Sequence, residues 1–202
     1  MLRERFLCYI RGGKPEGATK TFPGCTDKTL PKADRPIQLP HALYFAKSSS
    51  VWDNGGVAFL KAAKNEKRSN RTLGRRYLIT SEQFVQVVRQ ENAEEPEENN
   101  IRIDLEKTIK DGQSMINGNW YSRIMYLGNE YGSPIFTFTG CWADAEIVVN
   151  APGEKYLKTI IKGIKETYEL DTDCIVRYLA VVEGLQGQID AELLKKWIRD
   201  VV

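Results

Sequence analysis

The residue with the strongest claim to chemistry is Glu91. Phe84, Val87, Val88 and Glu91 fall at i, i+3, i+4 and i+7, so the four side chains share one face of a helix. A carboxylate therefore stands where the pattern calls for an apolar side chain. Thr80, followed three residues later by Gln83, has the form of a capping box and sets the helix start. Glu91 then falls at the helix C-terminus, where the negative end of the dipole and partial burial both disfavour ionisation and raise its pKa. Such a carboxyl can shuttle protons near neutral pH. The same residues allow a plainer reading, in which the helix stops a residue early and Glu91 opens the solvated acidic run Glu94, Glu95, Glu97 and Glu98.

A second feature is the glycine pair Gly12-Gly13. It follows the apolar run Phe6-Leu7-Cys8-Tyr9-Ile10, whose length suits a buried strand, and it is flanked by Arg11 and Lys14. Adjacent glycines after a core strand let backbone N–H groups approach a ligand and form a nest for an anion or a carbonyl oxygen. An ordinary glycine turn is the alternative. The glycine spacing fits neither a Walker A loop nor a dinucleotide fingerprint. His41 is the single histidine, which disfavours histidine-rich metal sites and routes any Ser-His or Cys-His mechanism through one residue. Cys8, Cys25, Cys141 and Cys174 are scattered without metal-ligand or redox spacing and read as reduced and structural. Acid-base chemistry is left to carboxylates, tyrosines and lysines.

The elements that must position these groups fit a single domain over residues 1–202, since nothing in the 202-residue composition marks a linker. Lysine plus arginine (29) nearly balance aspartate plus glutamate (27), so no global field gathers nucleic acid or anionic membrane. No apolar run approaches the ~20 residues of a membrane span, and Met1 to Phe6 lacks a secretory core; the expectation is a soluble, cytoplasmic protein. Ile37 to Ala46 reads as a strand interrupted by Pro40, and Asn54-Gly55 as a tight reversal beside Trp52 into Val57 to Leu60. Lys61 to Arg76, with Lys64, Lys67, Arg68, Arg71 and Arg75, reads as an exposed hairpin tip. It lacks the interleaved aromatics of a nucleic-acid site. A short helix is expected around Leu105 to Ile109, and a hairpin from Arg123 to Thr139. Three helices follow: one carrying Tyr156, Leu157, Ile160, Ile161 and Ile164 on one face, one capped by Asp171 or Thr172, one starting at Asp190. Strands with a helix between them, then a run of helices, argue for an α+β domain around a mixed sheet or small barrel.

Taken in order, these pieces resemble the gamma-glutamylcyclotransferase-like proteins over most of the chain. The resemblance rests on Phe6 to Gly13, Pro23-Gly24-Cys25, Ser48 to Phe59 with Trp52 and Gly55-Gly56, Gln90-Glu91, the Tyr121 strand, and Pro152 to Leu157 before Ile160 to Gly163. It implies a small mixed β-barrel flanked by helices, cleaving a gamma-glutamyl amide into 5-oxoproline and a free amine or amino acid without metal or cofactor. Glu91 would align with the family's catalytic glutamate. Cys8, Tyr9, Ile10, Arg11, Gly12 and Gly13 would line up with the loop that holds the glutamyl part, Tyr156 with a tyrosine that closes the pocket, and Tyr121 with the same pocket. The substrate's own α-amine would attack its γ-carbonyl, with Glu91 moving protons and the Gly12 and Gly13 N–H groups holding the oxyanion. Arg11-Gly12-Gly13-Lys14 departs from the usual Tyr-Gly-Ser-Asn, and Val87-Val88 from the usual leucine-aspartate pair. Two other readings remain: a non-catalytic small-ligand-binding or interaction module of the same fold, and a related gamma-glutamylamine cyclotransferase or amide hydrolase.

Overall fold

The computed structural model describes residues 1–15, 18, 20–65, 71–94, 98, 100–142 and 146–201. In chain order the elements are α1 (Arg3–Arg11), β1 (Asp34–Leu39), β2 (His41–Ser49), a 3-10 turn (Ser50–Trp52), β3 (Gly55–Lys64), β4 (Thr72–Tyr77) and α2 (Ser81–Glu91). They continue with α3 (Leu105–Asp111), β5 (Gln113–Met115), β6 (Arg123–Glu130), β7 (Ser133–Thr139), α4 (Glu154–Thr167), α5 (Thr172–Ala180) and α6 (Ala191–Asp200). The chain is thus α+β, as its pattern of elements requires. Contacts group it into two compact units: Met1–Glu4, Arg35–Arg75 and Asp144–Val202 in the first, Arg5–Asp34 and Arg76–Ala143 in the second. Among the described residues no helix is long and apolar enough to cross a membrane.

In the first unit Pro40, which has no N–H to donate, separates β1 from β2. β2 then reverses through Asp53 and Asn54, both left-handed at φ 54° and 61°, into antiparallel β3 in the register Leu43 to Leu60, Phe45 to Ala58 and Ser49 to Gly55. The reversal thus falls one residue earlier than the Asn54-Gly55 reading, on Asp-Asn, two residue types that tolerate positive φ, and Gly55 already pairs within β3. Helices α5 and α6 start on Asp171 and Asp190, whose carboxylates accept the N–H of Cys174 (2.7 Å) and of Glu192 and Leu193 (3.0 and 3.1 Å). Phe45, Leu157, Ile161, Ile175, Leu179 and Ile198 are buried together as the core of this unit.

The second unit packs α2 and the Arg5 to Arg11 turns of α1 with an antiparallel sheet ordered β5-β6-β7. The β6-β7 hairpin turns through Tyr131 and Gly132, at φ 48° and 77°. The capping box of α2 forms as expected: Thr80 Oγ1 accepts the Gln83 N–H (3.1 Å), and Gln83 Oε1 accepts the Thr80 N–H (3.0 Å). The apolar centre is Phe6, Tyr9, Ile10, Phe22, Cys25 and Val87.

Three expectations are corrected here. No closed barrel forms among the described residues: the strands make pairs β1-β4 and β2-β3 and the separate triplet β5-β6-β7. On β2 the second edge is taken by irregular chain, with the Phe45 N–H donating to Glu183 O (2.9 Å) and the Asn150 N–H to Phe45 O (3.1 Å), so no further strand can add. The run Phe6 to Ile10 is helix rather than strand, because Phe6, Tyr9 and Ile10 at i, i+3 and i+4 bury one helical face, Phe6 stacking on Tyr77 with ring centroids 3.7 Å apart. Among the described residues of Lys61 to Arg76, β3 and β4 do not pair with each other as a hairpin would, β3 pairing with β2 and β4 with β1. Lys67, Arg68, Glu95 and Glu97 lie outside the described residues.

Candidate functional site

Glu91 closes the last turn of α2. Its Oε1 accepts a hydrogen bond from the phenol of Tyr9, a residue 82 positions away on α1. The helical face read from the sequence does turn this carboxylate inward, and what awaits it is a phenol. Burial, the largest influence, raises the pKa of Glu91; the Tyr9 hydrogen bond and the charges of Arg5 and Lys20 oppose that shift. Tyr9 is raised well above the ordinary tyrosine value, first by burial and then by the adjacent Glu91 charge. The phenol therefore stays protonated and acts as a fixed donor, while the carboxyl, on a residue that is half-buried as a whole, is the group able to exchange protons.

The neighbours of Glu91 in the chain are buried amides that fasten it to three other segments. Gln90 Nε2 donates to the Tyr9 carbonyl (3.0 Å), and its Oε1 accepts the Gly24 N–H (3.3 Å). Asn92 Nδ2 donates to the carbonyls of Val88 (3.1 Å) and Tyr121 (3.0 Å), and its Oδ1 accepts the N–H groups of Trp120 (3.2 Å) and Tyr121 (3.1 Å). All four hydrogen-bonding positions of that amide are thus filled. Sequence reasoning named Gln90 only as part of a motif and passed over Asn92. The available signal was two amides on either side of a carboxylate at a helix end, where side chains commonly satisfy freed backbone groups.

The remaining expected site residues fall into place unevenly. Tyr9 and Glu91 are bonded, and Tyr121, edge-on to Phe138 at 5.3 Å, is close enough to influence Tyr9 electrostatically. Cys8, Ile10 and Arg11 belong to helix α1 rather than to a ligand loop; Ile10 is fully buried and Arg11 exposed. The proposed oxyanion donors are already engaged: the Gly12 N–H donates to Cys8 O (3.0 Å) and the Gly13 N–H to Phe22 O (2.9 Å). Gly12 (φ 83°) and Gly24 (φ 86°) are instead needed where two backbones cross, since a Cβ on Gly24 would lie 2.5 Å from the Gly12 nitrogen. Tyr156 belongs to the first unit, where its ring lies 4.8 Å from Trp52 and its hydroxyl accepts the Ala58 N–H (3.2 Å). An open groove of about 730 Å³ over α2 and the start of α3, lined by Glu82, Val85, Arg89 and Asp104 among others, contains none of these residues. Among the described residues no group of three or more His, Cys, Asp or Glu could hold a metal ion.

No family model matches the chain, and no solved structure matches it. The chain is 34% identical over 192 residues to histone deacetylase 5 of Arabidopsis thaliana, a match that covers 89% of this chain and 29% of that protein. The chain therefore spans less than a third of this relative's length. These findings overturn the gamma-glutamylcyclotransferase resemblance, together with the cyclotransferase activity, the gamma-glutamyl substrate and the 5-oxoproline product drawn from it. The similar protein carries the name of a different activity. The glycine motifs that suggested the resemblance are spent on a backbone crossing and on internal hydrogen bonds.

Proposed function

We propose that the Glu91–Tyr9 pair is an acid-base site working at the nitrogen of an acylated amine, carried on a unit that longer proteins can incorporate. The observation behind this reading is a carboxyl whose pKa burial raises, held by the hydroxyl of a phenol that stays protonated. Hydrolysis would begin with the Glu91 carboxylate taking a proton from water as the water oxygen attacks the acyl carbon. The protonated Glu91 would then pass that proton to the departing nitrogen as the C–N bond breaks, leaving a carboxylic acid and a free amine. Arg5 and Lys20, whose charges already act on Glu91, would offset the negative oxygen formed between these steps. The relative at 34% identity, in name a histone deacetylase, is a protein whose name describes removal of an acyl group.

A second reading, recognition of an amine without turnover, is favoured by the engaged Gly12 and Gly13 N–H groups, which leave that bend no donor for an oxyanion. Incubation with N-acetylated lysine peptides and simple N-acyl amines, with released amine detected by fluorescamine, separates the two. Turnover that falls ~10²–10⁴-fold in Glu91→Gln supports the acid-base site. Saturable binding with no amine released supports recognition alone, and turnover indifferent to Glu91→Gln refutes the role given to the carboxyl.

A further inference from the structure

We infer that Gln90 is a positioning residue for the Glu91–Tyr9 pair, clamping α1 and the Gly24 turn onto the last turn of α2 so that phenol and carboxyl meet. The inference rests on the acid-base reading for its purpose and on separate contacts for its substance. Tyr9 is held to α2 twice, through its carbonyl by Gln90 Nε2 at 3.0 Å and through its hydroxyl by Glu91. One bond fixes the backbone of α1 and the other fixes the ring, and the two acceptor and donor residues are adjacent in the chain. The other end of the same amide accepts the Gly24 N–H at 3.3 Å. Gly24 is the residue whose backbone crosses Gly12 just beyond the end of α1. A single buried side chain therefore joins the three segments on which the pair depends. The Cys25 thiol adds a second hold on the same carbonyl, with Sγ 3.2 Å from Tyr9 O. Gln90 touches neither the Glu91 carboxyl nor the Tyr9 hydroxyl by any contact described, so it acts through the backbone.

Gln86, one turn earlier, supplies a control. It also ties α2 to the neighbouring turn, its Oε1 accepting the Thr26 N–H at 2.7 Å, but it makes no bond to Tyr9. A purely structural role for Gln90 would lower stability and leave the Glu91 titration unchanged, as with Gln86. The groups acting on Glu91 are the charges of Arg5 on α1 and of Lys20 in the following segment, and the hydrogen bond of the neutral Tyr9. Neither substitution removes any of them.

The experiment is a ¹³C NMR titration of the Glu91 side-chain carboxyl in the full chain, comparing wild type, Gln90→Met and Gln86→Ala. Methionine keeps about the volume of glutamine and loses its hydrogen bonds, those to Tyr9 O and from the Gly24 N–H included. Without the clamp the Tyr9 hydroxyl is no longer held against the carboxyl, so in Gln90→Met the Glu91 pKa moves up, in the direction expected of Tyr9→Phe, while in Gln86→Ala it stays with the wild type. Equal titration curves in all three proteins, with only stability lowered, overturn the inference. Should Gln90→Met fold too weakly to titrate, Gln90→Glu tests the same clamp. Its neutral carboxyl can donate to Tyr9 O and accept from the Gly24 N–H, so the folded protein is retained at low pH and lost as that group ionises; stability independent of that ionisation overturns the inference. The readout needs no substrate, so absence of amine release would dismiss the acid-base reading without deciding this one.

Discussion

Tyr9→Phe isolates the bond on which the candidate site stands. The ring remains to pack on Phe22, whose centroid lies 4.2 Å away, and only the hydroxyl that donates to Glu91 is removed. A hydrogen bond to a charged acceptor is worth ~1.5–3 kcal/mol and one to a neutral acceptor ~0.5–1.5 kcal/mol. The substitution should therefore cost about 1–1.5 kcal/mol more when Glu91 is ionised than when it is protonated, which corresponds to roughly one pH unit added to the Glu91 pKa. The sign follows from linkage. Glu91 already titrates higher folded than unfolded, mainly through burial, so its contribution to stability is complete below the unfolded pKa and is lost as pH rises through the folded one. Removing the Tyr9 donor extends that loss to higher pH. Urea unfolding of wild type and Tyr9→Phe at pH 4 and pH 8, paired with the carboxyl titration, measures both sides of the cycle. A stability cost equal at the two pH values, or a Glu91 pKa that falls, would refute the reasoning that the phenol stabilises the carboxylate.

Three further outcomes follow from the packing. Gly12→Ala should lose roughly 2–5 kcal/mol in urea unfolding, from the left-handed backbone and a Cβ placed 2.8 Å from Pro23 O. Gly13→Ala, at φ 117° with open space around its Cβ, should lose only the ~1–2 kcal/mol of the backbone term. Thr80→Ala should cost about 1 kcal/mol by removing the cap of α2. Gln83→Ala should cost more in the same assay, because Gln83 Nε2 also donates to the Asp27 and Thr29 carbonyls (2.9 and 2.8 Å). Iodoacetamide at pH 8, followed by mass spectrometry, should label the exposed Cys141 first. Cys25, buried and with its thiol pushed up to about 11 chiefly by burial, should react only on unfolding.

What could be read from the chain alone was whatever local chemistry decides. The cap, face and end of α2 followed from Thr80, Gln83 and the spacing to Glu91, and the starts of α5 and α6 followed from Asp171 and Asp190. These are interactions within a few residues, so a short window contains all the partners. The run Phe6 to Ile10 failed for a related reason: five apolar residues satisfy a buried strand or a helix equally well. What decides for the helix is where Phe6 and Tyr9 find aromatic partners, at Tyr77 and Phe22. The absent barrel is a matter of strand edges, and nothing near β2 in sequence announces that Glu183 and Asn150 will occupy one.

The glycines carry the sharpest lesson about the site. Gly12 and Gly24 do mark a close approach to backbone, as their freedom from a Cβ suggests, but the approaching group is the protein's own chain, Pro23 against Gly12 and Gly12 against Gly24. A glycine pair states how near something comes and leaves open what that something is. An inward carboxylate is similar in kind: the period of α2 placed Glu91 against the protein, yet its partner lay 82 residues away on an element first read as a strand. Read as helix, Phe6, Tyr9 and Ile10 fall on a single face, and that face joins the cluster that holds Val87 of α2. With the helix assigned, a phenol beside the carboxyl becomes the expected arrangement, since a buried tyrosine hydroxyl needs an acceptor and a buried carboxylate needs a donor.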